Sequence, residues 1–405
     1  MYLAYIGSTK VAFLKAKYLP TQQVEIEALS ARLAGGFEGG MVKHLGEASE
    51  TLSAVVKDVI SEDSKEVISC RAVVSNSNLK SYLFESSIYF HGDAHAITLK
   101  DVRDVIAQTR SVATVPLKEV IVQAIPQEFL VDDLAGVQNP IGLEASRLGV
   151  TLRLLTLSFS EHNNLARVFE RCELDVTEMI PSVLAAGNSV LHPDEKQEGV
   201  VLVVVGGTAT QFAVYRNSVL ADVRTIPTGS DCITEVLEKN LSISYLDAQR
   251  VKEAFGSAIP KTEFEDELIP IPDPEGKTKY HINRREFESH IQTGLTRFFE
   301  ALLSEISNLR LEGSLPNQFV FSGGGVQMDG FLERLKEAVS PAVRIGIPIG
   351  YLGPESLMGK PAFSAAIGGV NFTSKISNGS LPLFGEQHWA GRLVHAVRSW
   401  IFEYF

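Results

Sequence analysis

Val200-Val-Leu-Val-Val-Val-Gly-Gly-Thr-Ala-Thr-Gln-Phe-Ala-Val-Tyr215 is the stretch on which the reading of the whole chain turns. Its first half is almost unbroken β-branched sequence, the pattern of a fully buried strand. Gly206-Gly207 permit a tight reversal, and Gln211–Tyr215 return as a second strand. Such a hairpin is either an ordinary piece of core or a turn that aims backbone N–H groups at a phosphate. Two other loops raise the second possibility. Ser322-Gly-Gly-Gly-Val326 follows another apolar strand and opens a helix, and Ile6-Gly-Ser-Thr-Lys10 joins two short strands at the N-terminus. The question is whether the three loops face one another.

At 405 residues the chain is too long for one ordinary core, and two to four subdomains are expected. A content of 45% hydrophobic and 21% charged residues is that of a folded globular protein. The net charge of −12 argues against nucleic acid, whose phosphates need clustered Lys and Arg. Cys70, Cys172 and Cys232 are odd in number and widely spaced, so a reducing compartment and no metal site are expected. The N-terminus has no basic region before a long apolar core, so no signal peptide is expected. No apolar run reaches the ~18 residues that span a bilayer.

Met1–Leu14 reads as a β-hairpin, and Ala48–Ile60 as an amphipathic helix on Leu52, Val55, Val56, Val59 and Ile60. The block 79–157 has its own rhythm of strand, helix and strands, ending in a long strand Val150–Phe159; it is expected to be a small α+β subdomain inserted in the first half, 1–78 and 158–195. His192-Pro-Asp-Glu-Lys-Gln-Glu-Gly199 reads as a polar linker between halves. The second half is expected over 196–230 and 311–373, with its own insertion at 231–310. There Asp231–Asn240 and Asp247–Phe255 read as helices, Ile269–Gly276 as a hairpin-tip loop and Arg284–Leu309 as a long helix. Each half begins with a Gly-turn hairpin and later takes an insertion, a weak internal duplication.

Residues 374–386 read as a flexible linker. The chain then closes with an amphipathic helix over 387–405. Trp389, Leu393, Val397, Trp400, Ile401, Tyr404 and Phe405 share one half of its circumference, while Arg392 and Arg398 lie on the other. It is too short and polar to span, and suits the headgroup plane of a membrane; the bland alternative is a helix docked on the body.

Several pieces, in order, resemble the FtsA family, bacterial actin-like proteins that tether the tubulin-like FtsZ to the inner membrane. They are Gln123-Ala-Ile-Pro-Gln-Glu-Phe-Leu-Val-Asp132, Asn139-Pro-Ile-Gly-Leu-Glu-Ala-Ser-Arg-Leu148, Ile226-Pro-Thr-Gly-Ser230, Ala248-Gln-Arg-Val-Lys252 with Phe255-Gly256, Ser322-Gly-Gly-Gly325 and the terminal helix. The resemblance implies an α/β fold of the actin, heat-shock chaperone and sugar-kinase type, with the family's inserted α+β subdomain and nucleotide between the halves. Gly7, Ser8, Thr9, Lys10, Gly206, Gly207 and Thr208 would face phosphates, with Gly229 nearby. Gly323, Gly324 and Gly325 would face adenosine, and Lys252 the ribose or base. It further implies filaments through the inserted subdomain, FtsZ and other division proteins as partners, and a peripheral position on the cytoplasmic face of the inner membrane at the division site.

The departures from the family pattern bear on chemistry. Tyr5 and Val204 stand where the family has an Asp before each Gly turn, Gln211 where it has another Asp, and Ile180-Pro181 where it has Glu-Pro. Phosphoryl transfer depends on hard-cation charge and a positioned water, and both need those carboxylates. A degenerate ATPase is therefore expected, with no catalytic residues and no Mg²⁺ site, while ATP binding is left open. The alternatives are a peptide-binding module resembling the pilus-assembly protein PilM, and a residual actin-family ATPase.

Overall fold

The computed structural model describes residues 1–21, 23–60, 67–90, 92, 94–260, 267–273, 277–311 and 315–372; the expected linker 374–386 and amphipathic helix 387–405 lie outside them. Two sheets organise the chain. The first contains, in spatial order, Leu174–Pro181, Ile68–Val74, Tyr2–Ile6, Lys10–Tyr18, Val24–Leu33 and the short Tyr351–Leu352. The second runs Val219–Ile226, Thr210–Arg216, Val200–Val205, Phe319–Ser322 and Val343–Ile345. Setting Tyr351–Leu352 aside, both are the same design. Three antiparallel strands follow one another by hairpins, and two later strands add in parallel to the free side of the first. The duplication is plain in topology, although few residues repeat.

The quoted stretch explains why the second sheet sits in the middle. All six residues of Val200–Val205 are buried, and the strand is flanked by neighbours on both sides. Its two faces feed different cores. Val201, Val203 and Val205 join the cluster under the long helix Arg284–Leu311, whereas Val200, Leu202 and Val204 join one reaching Leu3, Leu14 and Val73 of the first half. One apolar cluster is thus drawn from both halves, with Ala213, Leu220, Val223 and Val320 of the neighbouring strands joining Val200, Leu202 and Val204 in it. At ~25 cal/mol per Å² of apolar surface, the first-order driving force is this burial.

The inserted block is a four-stranded antiparallel sheet of Leu134–Val137, Glu119–Val131, Arg147–Ser158 and Lys80–Tyr89, covered by the helix Leu99–Val112. Two quoted pieces of the family resemblance meet here. Asp132, at φ +50°, accepts from the backbone N–H of Ser146 and Arg147, each at 2.9 Å, and the Arg147 side chain donates back to the Asp132 carbonyl. Phe129 of the same piece is fully buried in the subdomain core.

The structure differs from the sequence reading in four places. Val24–Leu33 is a strand that the sequence reading lacks: its alternation is broken by a register shift beside Glu27, and Glu25 and Glu27 pair with Lys15 and Lys17 on the neighbouring strand. Phe159 is not the end of a strand but the first residue of the helix Phe159–Arg171, which Ser158 caps. The linker His192–Gly199 contains a helix, Pro193–Glu198, and its Glu195 is anchored bidentately by Arg344. Residues Leu268–Pro272, which the hairpin-tip loop expected over Ile269–Gly276 overlaps, form a strand with Thr278–Asn283; proline is tolerated in such a two-stranded ribbon because every strand there has a free edge.

Candidate functional site

The two Gly hairpins turn alike. Ile6 pairs with Val11 across one turn and Val205 with Thr210 across the other. In each, the first glycine donates to the residue three further on, Gly7 N to Lys10 O and Gly206 N to Ala209 O, both at 2.9 Å. Two equivalent turns from equivalent positions in two sheets meet at the junction of the halves. They do more than face each other. A Cβ built on Gly206 would lie 3.4 Å from Ser8 Oγ, and one on Gly207 only 2.5 Å from Thr9 Cγ2.

Gly229, Ser230 and Asp231 back the second turn. Ser230 N donates to Gly206 O at 3.0 Å and Asp231 N to Gly207 O at 2.8 Å, so the start of the helix Asp231–Leu241 is fastened to the turn's carbonyls. The Asp231 carboxylate, with only 5% of the residue exposed, sits beside Gly207, and its Oδ1 has no hydrogen-bond partner. Burial pushes its pKa up, against the attraction of Lys252. Lys252 is itself buried and donates to Thr234 Oγ1 at 2.7 Å and Ser230 O at 3.3 Å; burial pulls its pKa down. That ammonium lies beneath the turn and is engaged there.

The third loop packs down on the second strand's end. Gly323, at φ +96°, has its α-carbon against the Val205 carbonyl, and its N–H goes to Pro361 O at 3.2 Å. Gly325 lies against the Val205 side chain, whereas a Cβ on Gly324 would meet only Ala362 Cβ, at an ordinary 3.9 Å. Sequence reasoning missed a further element here: the hairpin Phe37–Glu38/Met41–Val42, whose Gly39-Gly40 tip reaches Thr208 Oγ1 and the Ser75 carbonyl. A Gly-Gly pair between Phe37 and Met41 is a hairpin signal that could have found it.

The positions where the family has acids have other tasks. Tyr5, Val204 and Ile180 all belong to the core shared by the halves, and burial pushes the Tyr5 phenol up to about 12. Gln211 is 1% exposed. Its Oε1 accepts from Ser182 Oγ at 2.6 Å and Val183 N at 3.2 Å, and its Nε2 donates to Asn76 O at 3.1 Å. Because the Val183 N–H can only donate, the amide orientation is settled by chemistry. Gln211 fastens the second hairpin to the helix Ser182–Val190 and to the polar turn after Ile68–Val74. Among the described residues no group of three or more His, Cys, Asp or Glu could hold a metal ion. A neutral amide, an aliphatic side chain and a phenol offer Mg²⁺ nothing like its preferred carboxylate shell.

Two cavities among the described residues lie elsewhere. One, of about 810 Å³, opens where Ile121–Ala124 of the inserted block faces Asp175–Met179 of the first sheet's edge strand. The other, of about 260 Å³, lies among Arg153, Asp222 and Arg224.

Residues 201–368 match the family model described as "Cell division protein FtsA", and residues 76–156 match "SHS2 domain inserted in FTSA". The chain belongs to the FtsA family. Its FtsA relatives include those of Neisseria meningitidis, 25% identical over 98% of this chain and 96% of the relative, and Escherichia coli K12, 26% identical over 98% and 94%. The Bacillus subtilis FtsA is 30% identical over 69% of this chain and 62% of its own. Among solved structures, a PilM-PilN type IV pilus biogenesis complex gives a TM-score of 0.63 at 15% identity, covering 92% of this chain and 98% of that one. MreB 5 of Spiroplasma citri bound to AMPPNP gives 0.51 at 12%, covering 93% and 96%. These likenesses bear out the actin-like fold. Among the described residues, no helix is long and apolar enough to cross a membrane.

Proposed function

We propose that this FtsA-family chain is a cell-division scaffold rather than an enzyme. It polymerises on the cytoplasmic face of the inner membrane, holds FtsZ filaments there and recruits later division proteins. The observation that carries the non-enzymatic part is the replacement of four family acids by Tyr5, Val204, Gln211 and Ile180, three of them in core and one in a hydrogen-bond staple. Loss of one positioned base or metal ligand slows such chemistry by ~10²–10⁴, so losing four leaves no useful hydrolysis.

The membrane contact is assigned to Trp389, Arg392, Leu393, Val397, Arg398, Trp400, Ile401, Tyr404 and Phe405. Two Arg against one Glu give little charge attraction, so apolar insertion dominates and binding resists salt. One weak helix per protomer holds better when many are arrayed, which couples filament formation to membrane residence. Co-sedimentation with liposomes of the full chain and of a chain lacking Trp389–Phe405 tests this reading. The full chain should pellet and the truncated one should stay in solution. Equal pelleting, or turnover at saturating ATP and Mg²⁺ well above background, refutes it.

A further inference from the structure

We infer that the cleft between the halves is closed by the chain's own atoms, so that the halves adopt their closed position without a nucleotide and leave no place for one. The inference goes beyond the scaffold reading, which holds whether or not ATP binds. Four independent features converge on it.

The first is distance. A phosphate held between two turns needs an N–H···O contact of ~2.9 Å on each side, in addition to its own width. Here Thr9 Cγ2 and Ser8 Oγ come so close to the second turn that a single carbon added to Gly207 or Gly206 would already lie 2.5 or 3.4 Å from them. The second is charge. The Asp231 carboxyl lies against Gly207 with an unpartnered oxygen, so a polyphosphate entering there would bring its charge against carboxyl lone pairs, while Lys252 is engaged beneath the turn by Thr234 and Ser230. The third is the lid. The Gly39-Gly40 tip covers Thr208, and Gly40 abuts the Ser75 carbonyl so closely that any Cβ would collide with it. The fourth is the floor. Tyr5, Ile180 and Val204 join an apolar cluster drawn from both halves, and Gln211 ties across them. Opening the cleft would expose that cluster to water.

The nucleoside side of the cleft is filled in the same way. Met328 Cε lies 3.3 Å from a Cβ built on Gly256, and Ser257 forms a β-bridge with Asp329. Those contacts join the segment after Lys252 to the segment after the Gly323–Gly325 loop, the two pieces that would have flanked an adenosine.

The geometry offers a direct test. A Cβ on Gly206 lies 3.4 Å from Ser8 Oγ, close to the sulfur-to-Cβ separation across a disulfide. The full chain carrying Ser8→Cys and Gly206→Cys should cross-link under mild oxidation in nucleotide-free buffer, identified by peptide mapping because Cys70, Cys172 and Cys232 are also present. The rate should be the same with and without AMPPNP and Mg²⁺. In parallel, the unmodified chain should show no saturable AMPPNP binding by calorimetry, and its melting midpoint should move by less than about 1 °C at ~1 mM ligand. Failure to cross-link in a folded double variant, slower cross-linking with AMPPNP, or saturable binding by the unmodified chain would each overturn the inference. The unmodified chain keeps the question answerable if the double variant does not fold. None of these results depends on liposome binding or FtsZ, so the scaffold reading is tested separately.

Discussion

Gln211→Glu would return a carboxylate to a position where the family has one, and the structure predicts that it destabilises the protein in a pH-dependent way instead of restoring chemistry. The two bonds accepted by Oε1, from Ser182 Oγ and Val183 N, survive the change. The donor to Asn76 O does not; at the present 3.1 Å an ionised oxygen would face a carbonyl oxygen in a site that is 1% exposed. Leaving that carbonyl unpaired costs about 1–3 kcal/mol, and the buried charge adds to it. Protonated, the glutamic acid can donate an O–H to Asn76 and avoid both costs. The folded-state pKa is therefore raised above the unfolded value near ~4.3. A raised carboxyl pKa means the folded state binds the proton more tightly, so stability falls by ~1.4 kcal/mol per unit as pH rises above the unfolded pKa, until the folded pKa is passed. With a rise of two to three units the deficit at about pH 7.5 is roughly 3–4 kcal/mol, or about 6–8 °C at ~2 °C per kcal/mol. Melting midpoints of variant and parent at about pH 5 and pH 7.5 test it. The gap should be small at the lower pH and wide at the higher. If the midpoints agree within about 1 °C at pH 7.5, Gln211 is not the staple described here.

Three other substitutions have definite expectations. Glu195→Gln removes the bidentate partner of Arg344, whose bonds are 2.7 and 2.6 Å, and should cost about 2–4 kcal/mol by denaturant unfolding. Burial alone would raise the Glu195 pKa, but Arg344 and the His192 N–H hold it below the usual carboxylate range. Its contribution is thus present above the unfolded pKa of ~4.3 and lost as pH falls through the lower folded value, so the Gln variant should lose part of the parent's acid-unfolding slope. Gly40→Ala, at φ +77° with a Cβ directed into the Ser75 carbonyl oxygen, should cost at least ~2 kcal/mol and lower the melting midpoint. Phe129→Ala, fully buried in the inserted block, should cost about 3–5 kcal/mol and raise amide exchange in 119–158 before it does so in the second half.

The fold was legible wherever a long apolar run or a helical period was strong. Val200–Val205 could be read as a buried central strand because it is buried on both faces, and Arg284–Leu311 as a helix because it is long. Val24–Leu33 was hidden because a register shift beside Glu27 breaks its period-two alternation after only four residues. Leu268–Pro272 was hidden by its prolines, and Pro193–Glu198 by its polarity, although Pro193 at the first position and Glu195 bonding back to His192 N are helix-start signals. At the site, the glycines announced the turns. That Thr9 touches Gly207, or that Gly39-Gly40 reaches Thr208, could not be read locally, since these contacts join segments some 170 to 200 positions apart.

The four altered positions make physical sense only together. An aspartate at Tyr5 or Val204, or a glutamate at Ile180, would be a carboxylate in an apolar cluster with no cation to hold, and burial of an unpaired charge costs several kcal/mol. Each would favour an open, hydrated cleft. With Tyr, Val and Ile there, closing the cleft buries apolar surface and is favourable on its own. Gln211 then suits the closed form better than an acid, because it must accept from Ser182 and Val183 and also donate to Asn76, and only an amide does both without a proton to bind. A single acid restored at one of the three core positions should therefore destabilise the closed form without creating a metal site. On the closed-cleft proposal, a metal site would need several floor positions changed together, with the crowding of Gly207 by Thr9 and Asp231 relieved as well.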